Sequence, residues 1–273
     1  MNLERYRQLC QKNESENYLL DKYIFRKISI YVTILFIRLN ITPNQATFLS
    51  LLACLGSLYF LLFHSAGMLI IAALLIFTYY ILDHVDGELA RYYIQTGRMK
   101  PSLSGHYFDV LVHRYSSNIM VLFLGLGIYR QLGYESAVLL GFIACIGISS
   151  FPNVIAAQVI AGKIANDRDV VFHQPEMNRI LLDIEKKSQQ IQEIHGGSLI
   201  QKAKKLMIEL FFFPGHIVLL ILALLGDALL GNFVLGGQLV NFRLLFLLVM
   251  AFIYTAKTVA QSILWINKLK NLA

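Results

Sequence analysis

The chain has 273 residues, of which 56% are hydrophobic and 15% charged, and its formal net charge is +7. A soluble domain carries about 25% charged and about 45–50% apolar residues, so this composition excludes an ordinary soluble fold. The apolar residues gather into runs of about 20, the length that crosses a hydrocarbon core as helix, and they lack the alternation of barrel strands.

In chain order, residues 1–40 read as a cytoplasmic N-terminus. Its first 20 residues, with Glu4, Arg5, Arg7, Lys12, Glu14 and Glu16, do not resemble a secretory signal peptide. From Tyr18 to Leu39, Tyr23, Ile24, Phe25, Ile28, Ile30, Tyr31 and Ile34 alternate with Lys22, Arg26 and Lys27. That mixture predicts an amphipathic helix lying in the membrane interface, and the charges leave too short a run for a span.

Residues 41–273 read as an all-α, polytopic bundle of six transmembrane helices. The predicted spans are Pro43 to Phe63, Met68 to Ala90, Tyr107 to Ile128, Ala137 to Ala161, Leu206 to Leu229 and Phe242 to Trp265. A polar linker at 162–205 separates the fourth from the fifth. In it Met177, Ile180, Leu181, Ile184 and Ile191 share one helical face, suited to a cytoplasmic cap or a homodimer contact. Gly231 to Gly237 reads as an outer loop. Asp227, His216 and Glu209 fall near the ends of the fifth span and read as interfacial.

Basic residues orient the bundle. Of the 24 Lys and Arg, 20 fall in alternate segments that include both ends of the sequence, and 2, Arg130 and Arg243, fall on the other side. Under the positive-inside rule both termini are then cytoplasmic. The positive charge reads as topology and contact with anionic membrane lipids, not as nucleic-acid binding. Cys10, Cys54 and Cys145 have no metal-ligand spacing and read as packing thiols.

Charged groups inside lipid are costly and mark function. Asp83 and Asp86 stand three apart at the cytoplasmic end of the second span, and Asp109 and His113 stand four apart at the matching end of the third. Each pair shares a helix face, and two helices joined by a short connection are expected to be antiparallel neighbours. Three carboxylates can then converge on one point, an oxygen set that suits Mg²⁺ or Mn²⁺. Gly87, Ala90 and Gly105 are interleaved with the acids; such small residues admit either a flat ligand or a neighbouring helix.

The run Asp83-x-x-Asp86-Gly87-x-x-Ala90-Arg91, followed by Gly105-x-x-x-Asp109-x-x-x-His113, resembles the signature of the CDP-alcohol phosphatidyltransferase family. Gln95 and Thr96 sit where members often carry Q-T. Thr42-Pro43-Asn44, with Thr47, is similar to the family's opening of the first span. The resemblance implies transfer of a substituted phosphate from a CDP-alcohol donor to an acceptor hydroxyl, with release of CMP. It implies a site on the cytoplasmic side, with Asp83, Asp86 and Asp109 holding two metal ions. Gly87, Ala90 and Gly105 would leave space for cytidine, and Asn44 and Thr47 would hydrogen-bond there. Arg91 could bind phosphate or pair with a carboxylate. Arg114 and Lys257, the cations within spans, suit an anionic acceptor, or else snorkelling or pairing with a site carboxylate.

Two departures stand out. Thirteen residues, Tyr92 to Ser104, separate Arg91 from Gly105 where the family pattern has eight. His113 replaces the family's fourth Asp. It can still act as a general base, because imidazole has an ordinary pKa of about 6.5. As a ligand it suits Mg²⁺ poorly, so a second ion would bind weakly. Three function classes follow: a CDP-alcohol phosphotransferase, a homologue that binds a CDP ligand without catalysis, and a transporter. The last predicts internal repeats and a midplane site, neither of which is visible.

Overall fold

The computed structural model describes residues 2–11, 20–149, 209–211 and 215–270. The linker at 162–205, its amphipathic helix and its eight basic residues lie outside them. So do residues 150–161 of the predicted fourth span and parts of the start of the fifth.

The described residues form a nearly all-helical bundle: α1 (Leu3–Cys10), α2 (Arg26–Arg38), α3 (Pro43–Leu61), α4 (Ala66–Gln95), α5 (Leu103–Leu132), α6 (Glu135–Ile148), α7 (Gly215–Leu230) and α8 (Phe242–Lys270). Four of these, α3, α4, α5 and α8, are long and apolar enough to cross a membrane. The apolar helices α6 and α7 are shorter over the described residues.

The sequence sets the helix starts. Thr42 caps α3, accepting from the Gln45 amide at 3.3 Å, while the Gln45 side chain accepts from the Thr42 amide at 2.8 Å. Pro43 occupies the first turn, where its missing N–H costs nothing. Asn40, at φ 54°, takes the left-handed turn that joins α2 to α3, a conformation asparagine tolerates better than most residues. Ser102 caps α5 through the Gly105 amide at 3.2 Å.

The N-terminal part contains one element the sequence reading lacks. α1 is too short and polar for its apolar pattern to stand out, yet Cys10 at its end is fully buried. Burial, then Glu88, pushes the Cys10 thiol up to about 12, against a smaller opposing effect of Arg91. A π-helical turn, Asp21–Phe25, leads into α2. Ser29, Ile30, Thr33 and Ile37 of α2 are buried against the bundle, while Tyr23, Ile24, Ile28, Tyr31 and Leu35 are exposed.

α3 packs on α4 and on α5, α6 packs on α5 and α8, and α7 packs on α4 and α8. α5 meets α6 where a Cβ on Gly125 would lie 2.5 Å from the Ala137 carbonyl, so only glycine permits that approach. α4 and α5 face each other with their acidic side chains close, but their backbones make little direct contact. α3 bridges them, and the acidic faces of α4 and α5 stand across a cavity.

The expected outer loop contains a β-hairpin, β1 (Phe233–Leu235) and β2 (Gln238–Val240). Gly236 and Gly237 are both at positive φ, the two-residue turn whose twist matches paired strands. Asp227, expected near the interface, lies in the last turn of α7 and faces the protein interior. It is buried, and its Oδ2 accepts from Arg243 Nε at 2.6 Å while its Oδ1 accepts from the Phe242 amide at 2.6 Å. Arg243 is fully buried and also donates to the Phe63 carbonyl at 3.2 Å and to Gln131. His216 and Glu209 are buried as well.

Candidate functional site

A cavity of about 490 Å³ opens between α4 and α5. α4 contributes Asp83, His84, Asp86, Gly87, Glu88 and Arg91 to its wall, and α5 contributes Asp109, Val110, His113, Arg114, Ser117 and Asn118. Asp21, Arg26, Ile148, Ser149, His216, Tyr254 and Lys257 complete the lining.

At the centre, one oxygen each from Asp83, Asp86 and Asp109 lies within 4.8 Å of the others. At that spacing two carboxylates repel by roughly 3–4 kcal/mol at an effective dielectric of about 20. Three together therefore call for a compensating cation. An oxygen-only donor set within this span fits a hard divalent ion, with further ligand positions left for water or phosphate.

Two of the acids are oriented by hydrogen bonds. Asp86 is buried, and Thr47 Oγ1 donates to its Oδ2 at 2.7 Å. The same hydroxyl lies 3.1 Å from the Pro43 carbonyl one turn back on α3. Asp83 Oδ1 lies 3.3 Å from His113 Nδ1, so the ring nitrogen donates and the carboxylate fixes the imidazole plane across the cavity. Asp109, His113 and Ser117 follow one another at one-turn spacing along α5.

The other residues singled out in the sequence fall in different places. Arg114 and Lys257 line the cavity, and the Lys257 ammonium lies 5.1 Å from the Tyr254 ring centroid. Arg91 also lines it, but its Nε donates to the Cys10 carbonyl, which neither expected role anticipated. Thr47 meets the site through Asp86. Asn44 is exposed beside α5: a Cβ on Gly105 would lie 3.3 Å from its Oδ1. Ala90 is half-buried and does not line the cavity. The space over Gly87 holds the Arg91 guanidinium, 3.4 Å from where a Cβ would stand.

Four groups were not foreseen. Glu88 is buried and accepts from Gln11, Ser29 and Thr33. His84 lies 3.2 Å from Asp21, which also accepts from Tyr80 at 2.8 Å. Asn118 donates to Ser149 at 2.9 Å, and Tyr254 meets His216 at 3.3 Å. Only the placement of Glu88 in a predicted span could have flagged it.

Among comparisons with known proteins, no curated protein matches the chain. The family model of CDP-alcohol phosphatidyltransferases matches residues 40–173, a stretch that holds all three clustered acids and His113. The chain thus carries a CDP-alcohol phosphatidyltransferase domain over residues 40–173.

Proposed function

We propose that the protein transfers a substituted phosphate from a CDP-alcohol to an acceptor hydroxyl and releases CMP. The observation that carries this is the convergence of Asp83, Asp86 and Asp109 inside the matched segment, beside His113 in a cavity large enough for substrate.

Asp83, Asp86 and Asp109 would hold Mg²⁺ or Mn²⁺. Such an ion, when bound, neutralises the diphosphate and polarises the phosphorus under attack. Thr47 holds Asp86 in place. His113, with Nδ1 donating to Asp83, takes the acceptor's proton at Nε2. The acceptor oxygen forms the new P–O bond as the P–O bond to CMP breaks. Arg91 stands on the donor side and Arg114 and Lys257 on the acceptor side, where they suit an anionic acceptor. Asn44 and Gly105, side by side near Asp109, would border the place where cytidine enters.

Six spans, both termini cytoplasmic and the site at the cytoplasmic face complete the reading. The exposed apolar side of α2 would rest in the membrane interface. The turn at His64 to Gly67 and the hairpin at Gly236 then share the outer side, opposite Arg98. Single-cysteine labelling from one side of sealed vesicles checks this; labelling near Arg98 and near Gly236 from the same side would refute it.

Metal-dependent CMP release from a CDP-alcohol tests the activity. A protein that binds CMP with Mn²⁺ but consumes no donor is instead the binding homologue.

A further inference from the structure

Arg91 belongs to the matched segment, but the groups that seat it come from residues ahead of that segment. α1 ends at the Cys10 carbonyl, which accepts from Arg91 Nε. The next residue, Gln11, uses one side-chain nitrogen twice, donating to the Arg26 carbonyl at 2.7 Å and to Glu88 Oε1 at 2.9 Å. Ser29 Oγ donates to the same Glu88 oxygen at 2.8 Å, and Thr33 Oγ1 donates to Oε2 at 2.5 Å. Tyr6 of α1 lies against Tyr92, with ring centroids 6.1 Å apart.

Glu88 is 1% exposed, and a buried carboxylate is costly unless it is hydrogen-bonded. Among the described residues its side-chain donors are Gln11, Ser29 and Thr33, so Glu88 ties the N-terminal elements to α4. Arg91 lies one turn further on the same helix face. A guanidinium is a rigid plane, so fixing Nε also fixes where the two terminal nitrogens point. They lie over Gly87, 3.4 and 3.6 Å from its Cβ position and one residue beyond Asp86.

We infer that α1 with Gln11, together with the first turns of α2, forms a clasp that positions Arg91 for the donor's diphosphate, with Glu88 and Gln11 as positioning residues. This rests on the proposed function. Because Gln11 bonds Glu88 and extends the strand of chain that presents the Cys10 carbonyl, its loss should misaim Arg91 and leave the acidic cluster intact.

The test is a double-mutant cycle on the full-length protein, reading CDP affinity with Mn²⁺ by calorimetry and kcat/KM for a CDP-alcohol that the wild type consumes. Gln11→Ala should weaken both by about 10-fold, the order of one hydrogen bond to a charged group. Arg91→Ala should weaken both by about 100-fold. The double variant should be no worse than Arg91→Ala, because Gln11 acts only through Arg91. Deleting residues 2–10 should likewise cost activity in the wild type and nothing further in Arg91→Ala. A merely structural clasp would give multiplying losses, and that result, or a Gln11→Ala protein equal to wild type, overturns the inference alone. A wild type that neither binds CDP nor consumes any donor overturns the functional reading and the clasp with it.

Discussion

Thr47→Val removes one hydroxyl and keeps the side-chain shape, which isolates the bond to Asp86. That bond is 2.7 Å long, and the carboxylate it serves is 5% exposed, so water cannot easily replace the lost donor. A hydrogen bond to a charged group is worth about 1.5–3 kcal/mol, which corresponds to a factor of about 10–100. Loss of an outer-shell partner of a metal ligand costs a similar 10–100-fold in affinity. Two independent routes therefore give the same magnitude. Calorimetric titration of Mn²⁺ in the presence of CMP should show Thr47→Val binding 10–100-fold more weakly, by these estimates. Thr47→Ser keeps the donor and should bind within a few-fold of wild type. If the valine variant binds Mn²⁺ as tightly as the wild type, Asp86 is not a metal ligand held by Thr47.

The remaining predictions concern the base and the outer end of the bundle. His113→Ala should lower kcat by roughly 10²–10⁴ with CMP affinity nearly unchanged, and His113→Asp should retain much of the activity; an alanine variant as fast as wild type places the base elsewhere. Asp227→Asn leaves Arg243 buried without its charge partner and should destabilise the protein by about 3–5 kcal/mol, whereas Asp227→Leu with Arg243→Met should recover most of that loss. Thermal unfolding in detergent measures both; an Asp227→Asn protein as stable as wild type would show that the pair contributes little.

The sequence made the long helices legible because their apolar runs exceed what a soluble core needs. It also made the acidic cluster legible. The spacing of three between Asp83 and Asp86 fixes a face, and only one face can turn toward Asp109. The packing was less legible: a short connection makes α4 and α5 neighbours, but it does not show that α3 bridges them or that a cavity lies between their acidic faces. Pairings over long separations had no local signal. Nothing in the neighbourhood of Glu88 names Ser29 or Thr33, 59 and 55 residues away, and nothing near Asp227 names Arg243. Ala90 and Asn44 were singled out by motif position alone, and neither lies in the cavity wall. The hairpin escaped because Gly231 to Gly237 read as an outer loop, although Gly236-Gly237 is the pair that a two-residue turn favours.

The central claim is tested most directly by CMP release from purified protein incubated with a panel of CDP-alcohols and acceptors, with Mg²⁺ or Mn²⁺ and with chelator. The account predicts release with at least one donor, abolished by chelator and by each of Asp83→Asn, Asp86→Asn and Asp109→Asn, in variants that remain folded in detergent. Release that persists in chelator and in all three variants would contradict it.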